Sequence, residues 1–174
     1  MSFFNHRISY KRVIDEMVAE AFNTNLIDSP GLNSPPSNLG GYMFNTLEGV
    51  AATYFLIDRS LFCIRNSANR HKAKEHLAKT VLAGMANEYS PGEIKSFVIP
   101  VLEKRMNEYY RLMNAEGSPG DRVLQTGFKM IDNFIEDEVD AESKTLAIKH
   151  IFEKLSLEPA RKLIQLDQTR SIKW

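Results

Sequence analysis

Apolar and polar positions alternate at helical spacing along most of this chain. The densest apolar stretch is 45–64, where Leu47, Val50, Ala51, Tyr54, Phe55, Leu56 and Ile57 leave little room for a polar side. A surface helix shows a single apolar stripe, so a helix that is apolar on most sides belongs in the interior. The small residues Gly49, Ala51 and Ala52 let neighbouring helices come close. Asn45, with Glu48 three residues later, forms a capping signature for the start. Asp58 and Arg59 interrupt the run; 61–64 then resumes it, as a continuation or as a short strand. Glu48, Asp58 and Arg59 also break the charge-poor run of about 20 residues that a membrane span needs.

Amphipathic segments flank this stretch. Ser9 caps a helix to about Phe22, with Tyr10, Val13, Ile14, Met17, Val18 and Ala21 on one face. Residues 23–41 carry Pro30, Gly31, Pro35, Pro36, Gly40 and Gly41, have no periodicity, and read as a long loop. Such a loop is either a binding element or a plain crossover between helices. Asn66 or Ser67 caps a helix to about Glu88, polar and basic at first, then apolar at Leu77, Val81 and Met85. Ser-Pro-Gly-Glu at 90–93 is a strong helix start. Ile94, Phe97, Val98, Val101, Leu102, Tyr109 and Met113 follow on an apolar face, and Pro100 inside it predicts a kink or break near Ile99. The same start recurs as Ser-Pro-Gly-Asp at 118–121. Asp140 caps a helix through Leu155, a tight turn at 156–159 opens a last short helix, and 167–174 forms a polar tail. The pattern predicts an all-α fold: one domain, a bundle of about six or seven helices around a buried central helix at 45–64.

Charge and composition narrow the function. Lys+Arg and Asp+Glu are 22 each, and zero net charge weighs against nucleic acid or an anionic membrane as partner. A single cysteine, Cys63, excludes an internal disulfide and suits a reducing compartment. The N-terminus lacks a basic region followed by an apolar run, so a cytoplasmic location is expected.

The candidate chemistry is sparse. His71 and Glu75 share a helix face, but His76 lies about 140° away, and a zinc site wants three or four ligands. No acid stands three residues before any histidine, as the carboxylate-bridged di-iron pattern requires. Cys63 sits among Leu61, Phe62 and Ile64, surroundings that leave a thiol inert. Neither a Gly-x-Ser-x-Gly elbow nor a glycine-rich phosphate loop occurs. Segment 145–166 has a degenerate helix-turn-helix pattern: Phe152 stands at a small position, Ser156 at the turn glycine and Lys162 at a core position. The sequence therefore assigns no catalytic residue, cofactor or metal ligand.

What remains is segregated charge. A basic helix opening at 65–79 offers Arg70, Lys72 and Lys74, and an acidic stretch at 136–142 offers Glu136, Asp137, Glu138 and Asp140 as partner contacts. The basic opening contains no aromatic side chain for base stacking. The expected function is a non-enzymatic protein-binding or regulatory module, of adaptor, inhibitor or immunity type, binding another protein or a second copy of itself. The second reading is a bundle holding a small apolar ligand, suited by the kink at Pro100, seven methionines and ten phenylalanines. A DNA-binding regulator using 145–166 is third. An enclosed apolar cavity of about 300 Å³ or more favours the ligand, and an exposed apolar patch on a solid core favours the partner.

Overall fold

The computed structural model describes residues 9–22, 46–134 and 140–168. The expected loop at 23–41 and the acids Glu136, Asp137 and Glu138 lie outside the described residues, as does Trp174. The fold is all-α, with six helical rods among the described residues. Helix α1 is Tyr10–Phe22, α2 is Leu47–Ser60 and α3 is Ser67–Met85. Helix α4 runs over 91–113 as an α-turn Pro91–Glu93, a π-turn Ile94–Val98 and an α-helix Ile99–Met113. Helix α5 is Pro119–Phe134. Helix α6 runs over 141–168 as Ala141–Phe152, a π-turn Glu153–Leu157 and Glu158–Gln168.

Helix α2 is the axis. It touches all five other helices and packs most extensively on α4. Val50, Ala51, Ala52, Phe55, Leu56 and Ile57 are fully buried. Phe55 meets Tyr109 and Tyr110 of α4 edge-on, with ring centroids 5.4 and 5.0 Å apart. The helix continues through Asp58 and Arg59 to Ser60, then tightens into a 3-10 turn at Leu61–Cys63 rather than opening a strand. Its N-cap is Thr46, whose hydroxyl accepts from the Gly49 amide at 3.0 Å. The cap thus lies one residue later than the Asn45–Glu48 signature predicts. Glu48 does not reach back to a cap. It receives a two-pronged hydrogen bond from Arg105 of α4, each contact 2.6 Å.

The predicted face of α1 is buried as a set: Tyr10, Val13, Ile14, Met17, Val18 and Ala21. Ser9 caps this helix through the Arg12 amide and Asn66 caps α3 through the Asn69 amide. Ser90 and Glu93 form a full capping box. Gly117, at φ 128°, makes the turn between α4 and α5, a conformation that strains any residue with a Cβ.

Both π-turns share one cause. A proline inside an α-helix has no amide for the carbonyl four residues back, and its ring collides with that carbonyl. In α4 the Ile99 amide bonds Ile94 five residues back, and Pro100 follows at once. In α6 the Glu158 amide bonds Glu153, and Pro159 follows at once. The widened turn absorbs each proline. Pro100 therefore leaves α4 helical on both sides. The tight turn expected at 156–159 is absent: α6 stays helical through it, so 145–166 lacks the turn of a helix-turn-helix. The helix also extends to Gln168, into the expected polar tail.

Candidate functional site

Three helices build one face. A short connector joins α2 to α3, so the two run antiparallel and their side chains meet in rows. Tyr54 and Asp58 stand one turn apart along α2, with Phe62 following in the 3-10 turn; Arg70, Lys74 and Ala78 stand one turn apart along α3. Phe62 therefore lies beside Arg70, Asp58 beside Lys74, and Tyr54 beside Ala78.

The middle row is a buried charge cluster. Asp58 is 4% exposed. The Lys74 ammonium donates to its Oδ2 at 2.9 Å, and the Tyr110 hydroxyl donates to the same oxygen. An unpaired carboxylate there would be costly, so these two donors set the approach of α3 and α4 to α2. Burial first, and the Asp58 carboxylate second, push the Tyr110 hydroxyl well above the ordinary tyrosine pKa. The same two causes raise Tyr54. Lys74 and Tyr110 are thus both paired with Asp58.

The upper row is a cation-ringed aromatic. Phe62 is 49% exposed. The Lys74 ammonium lies 4.4 Å from its ring centroid, and the guanidinium carbons of Arg70 and Arg59 lie at 5.7 and 5.9 Å. Three cations thus surround one ring, against the single carboxylate of Asp58. Among the described residues neither Arg59 nor Arg70 makes an ion pair. Cys63 beside them is half-buried, and burial pushes its thiol pKa up.

The lower row opens into a groove of about 490 Å³ between α3 and α4, floored by Tyr54. Ala78, Val81 and Leu82 form one wall. Ile99, Leu102 and Met106 form the other, with Glu103 and Asn107 at its edge. The groove is open to solvent along one side, not an enclosed cavity.

The sequence-derived contact residues divide. Arg70 and Lys74 come together at Phe62, which supplies the aromatic partner that the basic opening lacks in sequence. Lys72 is exposed on the same helix, outside this cluster. Asp140 is the N-cap of α6, accepting from the Ser143 amide at 2.9 Å, and hydrogen bonds from the Ser143 side chain first and its amide second hold its carboxyl pKa low. His71 and Glu75 approach to 3.4 Å on the surface of α3. Among the described residues no group of three or more metal-ligating side chains converges. His76 is half-buried. Its Nε2 lies 2.8 Å from Asp15 and ties α3 to α1. Sequence reasoning missed Tyr54, Ala78 and Met106 as neighbours; the antiparallel register of α2 and α3 was the signal that could have paired them.

No family model, curated protein or solved structure matches this chain. Among the described residues no helix is long and apolar enough to cross a membrane.

Proposed function

We propose that this chain is a non-enzymatic binding module that takes a small apolar ligand in the α3–α4 groove. The sequence puts a protein partner first and an apolar ligand second; the groove is open rather than enclosed, but its volume and apolar walls support the ligand. The observation that carries the reading is a volume of about 490 Å³ with six apolar wall residues. Ligand sites commonly run from roughly 300 to 1,000 Å³ with mostly apolar walls and a few polar groups, and here Tyr54, Glu103 and Asn107 are those groups. Asp58, Tyr110 and Lys74 support binding over chemistry, because each already satisfies another.

An uncharged probe, 1-decanol, tests this. It should raise the thermal midpoint of the wild-type protein, since a ligand at about 100 times its Kd adds roughly 2.7 kcal/mol. It should leave an Ala78→Phe variant, with the groove filled, unmoved. No shift in the folded wild-type protein would remove the reading.

Phe62 favours a second reading, the protein-binding or regulatory module. A half-exposed aromatic beside two arginines is the composition of an interface hot spot. A stoichiometric partner that is lost on Phe62→Ser while the groove still binds 1-decanol would move this reading ahead.

A further inference from the structure

The groove and the cation cluster share one face of α3, with the Asp58–Lys74–Tyr110 row between them. Ala78, in the groove wall, stands one turn along α3 from Lys74, and Lys74 stands one turn from Arg70. From Leu82 to Arg70 the track along α3 is about 18 Å, twelve residues at 1.5 Å each. Its far part has mostly apolar walls, with Glu103 and Asn107 at the edge, and its near end holds Arg59, Arg70 and Lys74 around one ring.

That end is charged in excess of its surroundings. Lys74 is neutralised by Asp58. Arg59 and Arg70 face the Phe62 ring with no carboxylate partner among the described residues. The two guanidinium groups lie 5.9 and 5.7 Å from the same ring centroid, and a ring quadrupole at an exposed site is a weak partner for two like charges. An anion seated between the two guanidinium groups would offset both charges and accept hydrogen bonds from both.

From this juxtaposition we propose that the ligand of the groove is an anionic amphiphile, its acyl-type chain lying between α3 and α4 and its carboxylate or phosphate head held by Arg59 and Arg70. The proposal rests on the groove-binding reading above and adds the head group to it. Carboxylate and phosphate heads share the chemistry that two guanidinium groups recognise. A partner peptide is the weaker fit, because the groove volume suits a single chain rather than a packed helix.

Calorimetric titration with decanoate and 1-decanol, which share a chain length, separates head from tail, and decyl phosphate in parallel ranks the two head groups. Wild-type protein should bind decanoate at least about tenfold more tightly than 1-decanol, an advantage that shrinks as salt is raised. In the double variant Arg59→Gln/Arg70→Gln the two probes should bind alike, with the 1-decanol affinity unchanged. Ala78→Phe should lose both; if it does not fold, Met106→Trp fills the same groove. Equal binding of decanoate and 1-decanol by the wild type would overturn the head-group assignment and leave the groove reading standing. Binding of neither would remove both. A preference for decanoate that persists in the double variant would also overturn the assignment, because the anion would then sit elsewhere. An acidic amphipathic peptide that binds where decanoate does not would assign the groove to a protein partner and overturn the amphiphile.

Discussion

Asp58 is the residue at which fold and site meet. In the sequence it is an interruption in an apolar run; in the fold it is buried and anchors the cluster that frames the groove. Its partners, Lys74 and Tyr110, stand 16 and 52 positions along the chain, beyond the reach of any local pattern. Replacing Tyr110 by Phe removes one donor from a carboxylate that stays buried. By the usual worth of a hydrogen bond to a charged group, urea unfolding should show a loss of about 1.5–3 kcal/mol. Unchanged stability would mean that water replaces the hydroxyl at no cost. The tyrosines also set an alkaline limit. Burial pushes the Tyr109 hydroxyl up to about 12, and Tyr110 moves in the same direction. The folded chain therefore holds these protons where the unfolded chain, with tyrosine pKa near roughly 10, has begun to release them. The stability they contribute is complete below about pH 10 and fades as pH rises towards the folded values. A Tyr109→Phe/Tyr110→Phe variant, less stable at neutral pH, should show a shallower decline across that window than the parent. An identical slope would count against the burial.

At the scale of elements, helix starts were largely legible because capping is local chemistry. Ser9, Asn66, Ser90, Ser118 and Asp140 all cap as their spacing predicts. Proline was legible only in part. Pro100 reads as a kink and Pro159 as a fresh start, yet both sit just beyond a π-turn. Sequence shows that proline removes a donor; it does not show whether the turn widens or the helix ends, since the neighbours packed on that turn decide it. Gly127 of α5 is a similar case. A Cβ there would lie 2.5 Å from Ile148 Cγ2 and 2.7 Å from its Cγ1, on α6. Both atoms sit on the stiff β-branch and cannot swing away. Gly127→Ala should therefore be net destabilising: overpacking of about 1–3 kcal/mol exceeds the roughly 1 kcal/mol gained in helix propensity. In an Ile148→Ala background the same change should turn neutral or stabilising. Thermal melts of the four proteins give the comparison, and a destabilisation that survives removal of Ile148 would mean the close approach is not its cause.

At the scale of the whole molecule, the apolar run at 45–64 was the best guide. A helix without a polar side has only the interior to occupy, and α2 lies there in contact with every other rod. The site was not legible in the same way. Its walls come from α3 and α4, whose apolar positions serve both core and groove, and periodicity does not tell a residue that fills space from one that borders it. Balanced charge also concealed the local excess of cations, because the 22 basic and 22 acidic groups cancel over the chain but not around Phe62. The central functional claim is that the opening between α3 and α4 receives an anionic chain. Methyl NMR spectra of carbon-13-labelled alanine and methionine, recorded during a decanoate titration, address it at the residues concerned. The expected result is saturable movement of the Ala78 and Met106 methyl signals, with Met17, Met130 and Ala147 in the core still. Signals that stay fixed at Ala78 and Met106, or that move first on α1 or α6, would contradict it.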